Sequence, residues 1–155
     1  MTDQQPAAPA FLVTDRPLDP AALAALVARP EHGAIVTFAG VARDNFAGRA
    51  TAFLEYEAYV EMAEQVLGEL AAEARERFKV GAVAIHHRIG VLKIGETAVI
   101  IAVGSPHREA AFAAAAYLMD RIKQVAPIWK CEHWADGSRE WAGLETKRKA
   151  DAGID

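Results

Sequence analysis

Between Val60 and Phe78 the apolar residues Ala63, Val66, Leu67, Leu70, Ala71 and Ala74 recur every three or four positions. Only a helix with one buried face brings such a set together, because successive residues rotate by roughly 100°. Glu73 and Arg77 fall one turn apart on its wet side and are expected to pair. A second long helix is expected from "SPHREAAFAAAAYLMDRIKQV", with Ser105 as N-cap and Pro106 as first helical residue. Ahead of the first of these helices the period changes to two. "GAIVTFAGVAR" carries β-formers with apolar residues in both alternating sets, which predicts a strand buried on both faces or covered by a partner. "TAFLEYEAY" sets Leu54, Tyr56 and Ala58 on one face and Glu55 and Glu57 on the other, a half-buried strand.

"VGAVAIHHRIG" and "TAVIIAVGS" also read as strands, separated by "VLKIGE" with a turn at Gly95, and "DNFAGRA" reads as a loop. "PIWKCEHWADGSREW" should be extended, with a hairpin around Asp136-Gly137. Upstream, "FLVT" is a short strand candidate, and a short helix follows with Asp19 as N-cap, Pro20 at its first position, and Pro30 and Gly33 as stops. The order predicts an α+β fold: one domain around a largely antiparallel sheet, with two long helices. Its expected bounds are 11–141, with a flexible tail over 1–10 and a mobile polar tail over 142–155.

A chain of 155 residues can hide a real core, and 52% hydrophobic with 25% charged residues excludes disorder as its main state. A net charge of −4 argues against a general nucleic-acid binder and favours a small anionic ligand held in a local basic pocket. No apolar run approaches the ~20 residues that span a bilayer. The opening "MTDQQPAAPA" lacks a signal-peptide pattern, and the single cysteine, Cys131, has no partner for an internal disulfide. Both features point to the cytoplasm.

Chemistry concentrates in "DRIKQVAPIWKCEHW". Phe112, Ala116, Met119 and Lys123 fall within roughly 40° of one another on a helical wheel, so Lys123 continues an apolar stripe and either snorkels or faces a pocket. Pro127 bars further helix and makes the preceding Ala126 extended, so the chain can fold back and bring Lys130 toward Lys123. Converging ammonium groups disfavour each other's charge, which suits proton transfer or amine attack; two solvated lysines are the alternative. In "GSPHREAAF" the basic His107 and Arg108 occupy a first helical turn, where acidic residues are favoured unless an anion answers them; a solvated loop is the plainer reading. Arg43, closing an apolar strand, is a similar candidate. His86 and His87 point to opposite faces of a strand and make a poor metal pair. Cys131 and His133 share a face but lack a third ligand at suitable spacing, so no metal site is expected. Nucleotide-binding glycine motifs and serine elbows are absent from the sequence.

Taken in order, "FAGVAR", "LEYEAY", "HHRIGVLKIGE", "SPHREAAF" and "DRIKQVAPIWKCE" resemble the large, catalytic subunit of molybdopterin synthase, the MoaE family, from about Gly33 to Glu132. The resemblance implies an α/β-hammerhead fold, a homodimer, and a heterotetramer with two copies of a small ubiquitin-like, MoaD-like sulfur carrier. In that family the carrier's thiocarboxylated Gly-Gly tail enters a pocket of the large subunit and gives sulfur to cyclic pyranopterin monophosphate, forming the dithiolene of molybdopterin. No bound cofactor is implied. Carried over by motif, Lys123 and Lys130 are the catalytic pair, Lys130 acting on the transferring acyl group and Lys123 in proton transfer and positioning. Arg43, His107 and Arg108 would hold phosphate or pterin, the backbone at Val41 and Ala42 would line the pocket, and Glu132 would fix the pterin edge or Lys130. Cys131, also counted with the substrate site, stands where the family usually has a basic or polar residue, and Ala42 replaces a bulkier apolar one. A non-catalytic module that docks a ubiquitin-like tail is the rival reading, and a phosphate-ester hydrolase lacks an evident nucleophile.

Overall fold

The computed structural model describes residues 7–142. The tail expected beyond Ala142, and residues 1–6, lie outside the described residues. The elements in chain order are β1 (Phe11–Thr14), α1 (Pro20–Val27), β2 (Ala34–Val41), β3 (Asn45–Phe46), β4 (Arg49–Ala58), α2 (Val60–Phe78), β5 (Ala82–Arg88), β6 (Gly90–Lys93), β7 (Thr97–Ser105), α3 (Arg108–Val125), β8 (Ile128–Trp134) and β9 (Arg139–Ala142). The fold is α+β, with two long helices as expected, and its strands divide between two sheets. One has the order β1-β5-β7-β2; the other runs β3-β4-β8-β9, with β6 also on β4. Every pairing is antiparallel except β1 on β5.

The first sheet is covered on both sides. Leu67, Leu70 and Ala71 of α2 and Ala111, Ala114, Leu118 and Ile122 of α3 pack on Val83, Ile85, Ile101 and Val103. On the reverse side Leu23 and Val27 of α1 pack on Ala82, Ala84, Ile100 and Ala102. The doubly buried strands are therefore β5 and β7. β2, expected to be buried on both faces, lies at the sheet edge and leaves Ile35, Phe38 and Val41 at 43%, 39% and 51% exposure. Its apolar side chains therefore stay partly exposed on the single chain. A smaller cluster of Ala42, Leu54, Leu92 and Ala98 joins the end of the first sheet to the second.

Local chemistry explains most boundaries. Asp19 caps α1 by accepting from the Ala21 N–H at 3.0 Å, with Pro20 at the first position. α3 starts later than expected, at Arg108, with His107 as its extended N-cap. Ser105 is instead the last residue of β7, paired with Ala34, so the sheet ladder claims it before a helix can. Glu73 does not pair with Arg77: it accepts from the Tyr117 hydroxyl and from Arg121 Nε at 3.2 Å, linking α2 to α3. Arg77 lies over the Tyr117 ring, 4.8 Å from its centre. The expected loop "DNFAGRA" contains β3, joined to β4 through Ala47 and Gly48, both at positive φ as a two-residue hairpin turn requires. Among the described residues no helix is long and apolar enough to cross a membrane.

Two glycines give a test of this packing. A Cβ at Gly104 would run into the Val27 carbonyl oxygen and the His32 ring, where α1 lies closest to β7. One at Gly68, inside α2, would meet only the edge of the Phe11 ring, at 3.4 Å. Gly104→Ala is expected to cost about 1–3 kcal/mol in denaturant unfolding, and Gly68→Ala to add up to about 1 kcal/mol through helix propensity.

Candidate functional site

The α3–β8 junction builds the site. Ala126 is extended (φ −71°, ψ 135°), its N–H still bonded to the Ile122 carbonyl at 3.0 Å, and the fully buried Pro127 ends the helix. The Pro127 carbonyl accepts from the Tyr59 N–H at 3.1 Å, which fixes the reversal against the start of α2. β8 then runs antiparallel to β4 with Tyr56 opposite Lys130 and Leu54 opposite Glu132.

This reversal brings Lys123 and Lys130 to one cavity of about 660 Å³ between the two sheets, lined also by Val41, Arg43, Phe46, Tyr56, His87, Met119 and Glu132. The stripe containing Lys123 is not a core stripe. Phe112 is 62% exposed, whereas the buried face of α3 is made by Ala111, Ala114, Ala115, Leu118 and Ile122. The stripe instead borders the cavity through Met119 and Lys123.

Charge and polarity inside the cavity are uneven. Arg43, Lys123 and Lys130 face one carboxylate, Glu132. Arg43 Nε donates to the Asn45 carbonyl at 3.0 Å, which holds the guanidinium beside the β3–β4 hairpin. Phe46 of that hairpin lies over Lys130, with Nζ 5.7 Å from the ring centre. Glu132 is 8% exposed; Oε1 accepts from the Thr51 hydroxyl at 3.0 Å, and Oε2 has no hydrogen-bond partner among the described residues. A buried carboxylate oxygen without a donor is costly. Burial, reinforced by Glu132, pushes the Tyr56 hydroxyl up to about 12, so it remains a hydrogen-bond donor. His87 meets the Tyr56 ring edge-on and its Nδ1 lies 2.8 Å from the Arg88 carbonyl. Burial lowers the His87 pKa to about 4, so the ring is neutral at pH 7.

Other expected site residues lie elsewhere. Ala42 is buried in the small cluster with Leu54 and Leu92, its N–H bonded to the Glu96 carbonyl at 2.9 Å, and it does not line the cavity. His107 and Arg108 are exposed at the opposite end of α3, roughly 22 Å along the axis from Lys123 by helix rise. They do not line the cavity of their own chain. Cys131 is fully buried and, by the two-residue alternation of β8, points away from Lys130 and Glu132. It meets Glu55 and His133 instead. A second groove of about 480 Å³ is lined by Glu55, Glu57, Tyr59 and Trp129, and its acidic wall does not suit a phosphate.

Sequence alone does not assign Tyr56, Phe46 or His87 to this cavity. The alternation of β4 puts Tyr56 on the face of Leu54, a legible signal. Phe46 sits on a local hairpin whose place over the cavity depends on the β4–β8 pairing, and His87 reaches the cavity through pairings with β1 and β7 that no local pattern announces.

Comparison with known proteins finds chains similar to this one over most of its length. The family model described as MoaE protein matches residues 13–125. The chain is 49% identical over 138 residues to the molybdopterin synthase catalytic subunit of Bacillus subtilis (strain 168), covering 88% of this chain and 87% of that protein. It is 50% identical over 123 residues to the subunit of the same name from Staphylococcus carnosus (strain TM300), covering 79% and 81%. The crystal structure of molybdopterin synthase from Staphylococcus aureus superposes with a TM-score of 0.83 at 39% identity, covering 88% of this chain and 98% of that one.

His87 makes the fold sensitive to acid. Above the ordinary value of 6.5 the ring is neutral in both folded and unfolded chains and contributes nothing. As pH falls from 6.5 the unfolded chain takes up a proton that the folded chain refuses, until about pH 4. Stability should fall across that window by up to about 3 kcal/mol from this residue. His87→Gln is expected to flatten the decline, as read by denaturant unfolding at stepped pH.

Proposed function

The chain belongs to the MoaE protein family, and from that premise we propose that its cavity moves sulfur from a protein thiocarboxylate to a phosphorylated pterin. The chain is an enzyme subunit of molybdopterin synthesis, the catalytic one. The finer assignment rests on one observation: Lys123 and Lys130, brought together by the Pro127 reversal, share a cavity with Arg43. In this reading cyclic pyranopterin monophosphate is the acceptor, and the catalytic unit is the single domain over 11–141, working in the cytoplasm. The donor is the Gly-Gly tail of a small ubiquitin-like carrier, two of which bind a dimer of this chain. Glycines suit the tail because they enter a narrow passage without side chains.

Each cavity residue then has a task. Arg43 offers a forked cation to the phosphate. Glu132, on the cavity wall, fixes the pterin edge or Lys130. Lys130, held under Phe46, binds and polarises the carrier's acyl group as sulfur leaves, and Lys123 shuttles the proton. His107 and Arg108 are too far from their own cavity to touch the same substrate. In this reading they serve the cavity of the other subunit, with the exposed apolar edge of β2 and Phe112 lying at the dimer contact.

Purified chain mixed with thiocarboxylated carrier and pyranopterin precursor is expected to yield dithiolene product. Lys130→Ala and Lys123→Ala should each lower turnover by on the order of 100-fold or more while still folding and binding carrier. Unchanged turnover overturns the assignment. The shared cavity has its own test. Lys123→Ala and Arg108→Ala chains, each impaired alone, should regain about half of normal activity per mixed dimer, because one of its two cavities is intact at both positions. Failure of mixing to restore any activity rejects a cavity shared across subunits.

A further inference from the structure

On the reverse face of β8 from the lysine cavity, three side chains with metal-binding atoms converge. Cys131 is paired directly with Glu55 of β4, and His133 follows two residues later on the same face. One ligand atom from each lies within 4.8 Å of the others. His133 Nε2 stands 3.1 Å from Glu55 Oε1, and the His133 ring is stacked on Phe53 with centroids 4.1 Å apart and planes 15° from parallel. The carboxylate and imidazole are part-exposed, at 32% and 20% of their side-chain surface, while the cysteine beneath them is fully buried. Spacing in β8 alone gives two ligands; the third comes from the neighbouring strand, which is why the sequence does not show it.

We propose that Glu55, Cys131 and His133 bind one zinc ion, with a water molecule completing a tetrahedral set. The donor set selects the metal. One sulfur, one ring nitrogen and one carboxylate oxygen suit a borderline ion of flexible geometry, whereas magnesium and calcium require oxygen ligands throughout. The framework is already built. The two strands are paired at these residues and the imidazole plane is set by Phe53, so little ordering remains for binding to supply. On binding, the Cys131 thiol gives its proton to water, and two metal bonds replace the His133–Glu55 hydrogen bond. In the metal-free chain burial of the sulfur pushes the Cys131 thiol up, only partly offset by Arg139 of β9, in register with His133. The ion would tie β4 to β8 directly behind Lys130 and Glu132.

The test uses the full chain, stripped with chelator and titrated with zinc chloride and, separately, cobalt chloride. One zinc per chain is expected by calorimetry, together with a rise in Tm that grows with free zinc. The cobalt form should show thiolate-to-metal charge-transfer absorption. Glu55→Gln, His133→Gln and Cys131→Ser should each weaken zinc binding by more than the ~10–100-fold typical of changes to outer-shell residues. Cys131→Ser should also abolish the charge-transfer band. If Cys131→Ser does not fold, loss of affinity in the other two variants with the band retained at higher cobalt still supports the site. Absence of stoichiometric zinc, absence of the band in the natural chain, or unchanged affinity in His133→Gln and Glu55→Gln overturns it.

Discussion

The site depends on a backbone that is not allowed to remain helical. Pro127 has no N–H to give to α3 and forces Ala126 out of the helical region, so the chain must reverse within two residues of Val125. The reversal is then captured, since the Pro127 carbonyl bonds to Tyr59 and β8 pairs along β4 from Ala58 to Thr51. Two lysines seven positions apart thereby become neighbours of one cavity. Without the proline stop, Lys130 would continue around α3 and the second sheet would lose its central strand.

Around that junction the molecule separates rigidity from chemistry. The sheet containing β5 and β7 is buried on both faces and holds most of the apolar core. The cavity lies where this sheet ends and the second begins, so its walls come from well-packed strands while its rim is the β3–β4 hairpin. Concentrating three cations there gives an acidic chain one strongly positive recess. The neutral His87 and the high-pKa Tyr56 beneath them add polarity without opposing that charge.

Much of this was legible in the residues. The period of α2, the capped start of α1, the proline reversal and the strand at "LEYEAY" all follow from local chemistry, and the structure has them in place. What local chemistry cannot carry is competition between elements. Ser105 had every credential of an N-cap but was taken by the β7 ladder, and Glu73 had a partner one turn away but found Tyr117 and Arg121 on another helix. Lys123 and Lys130 could be brought together by reasoning along the chain. The distance of His107 and Arg108 from them could not be judged until the helix between them was given its length and direction.

The alternation of β8 has an implication for how this sequence can change over generations. Lys130 and Glu132 look into the cavity, while Cys131 and His133 look toward Glu55. Deleting or inserting a single residue between Pro127 and Lys130 would turn the strand over and exchange the two sets at once. Substitutions can adjust either set independently, but a change in length here alters both together, so the spacing from proline to lysine is a harder heritable constraint than the identity of any one residue between them.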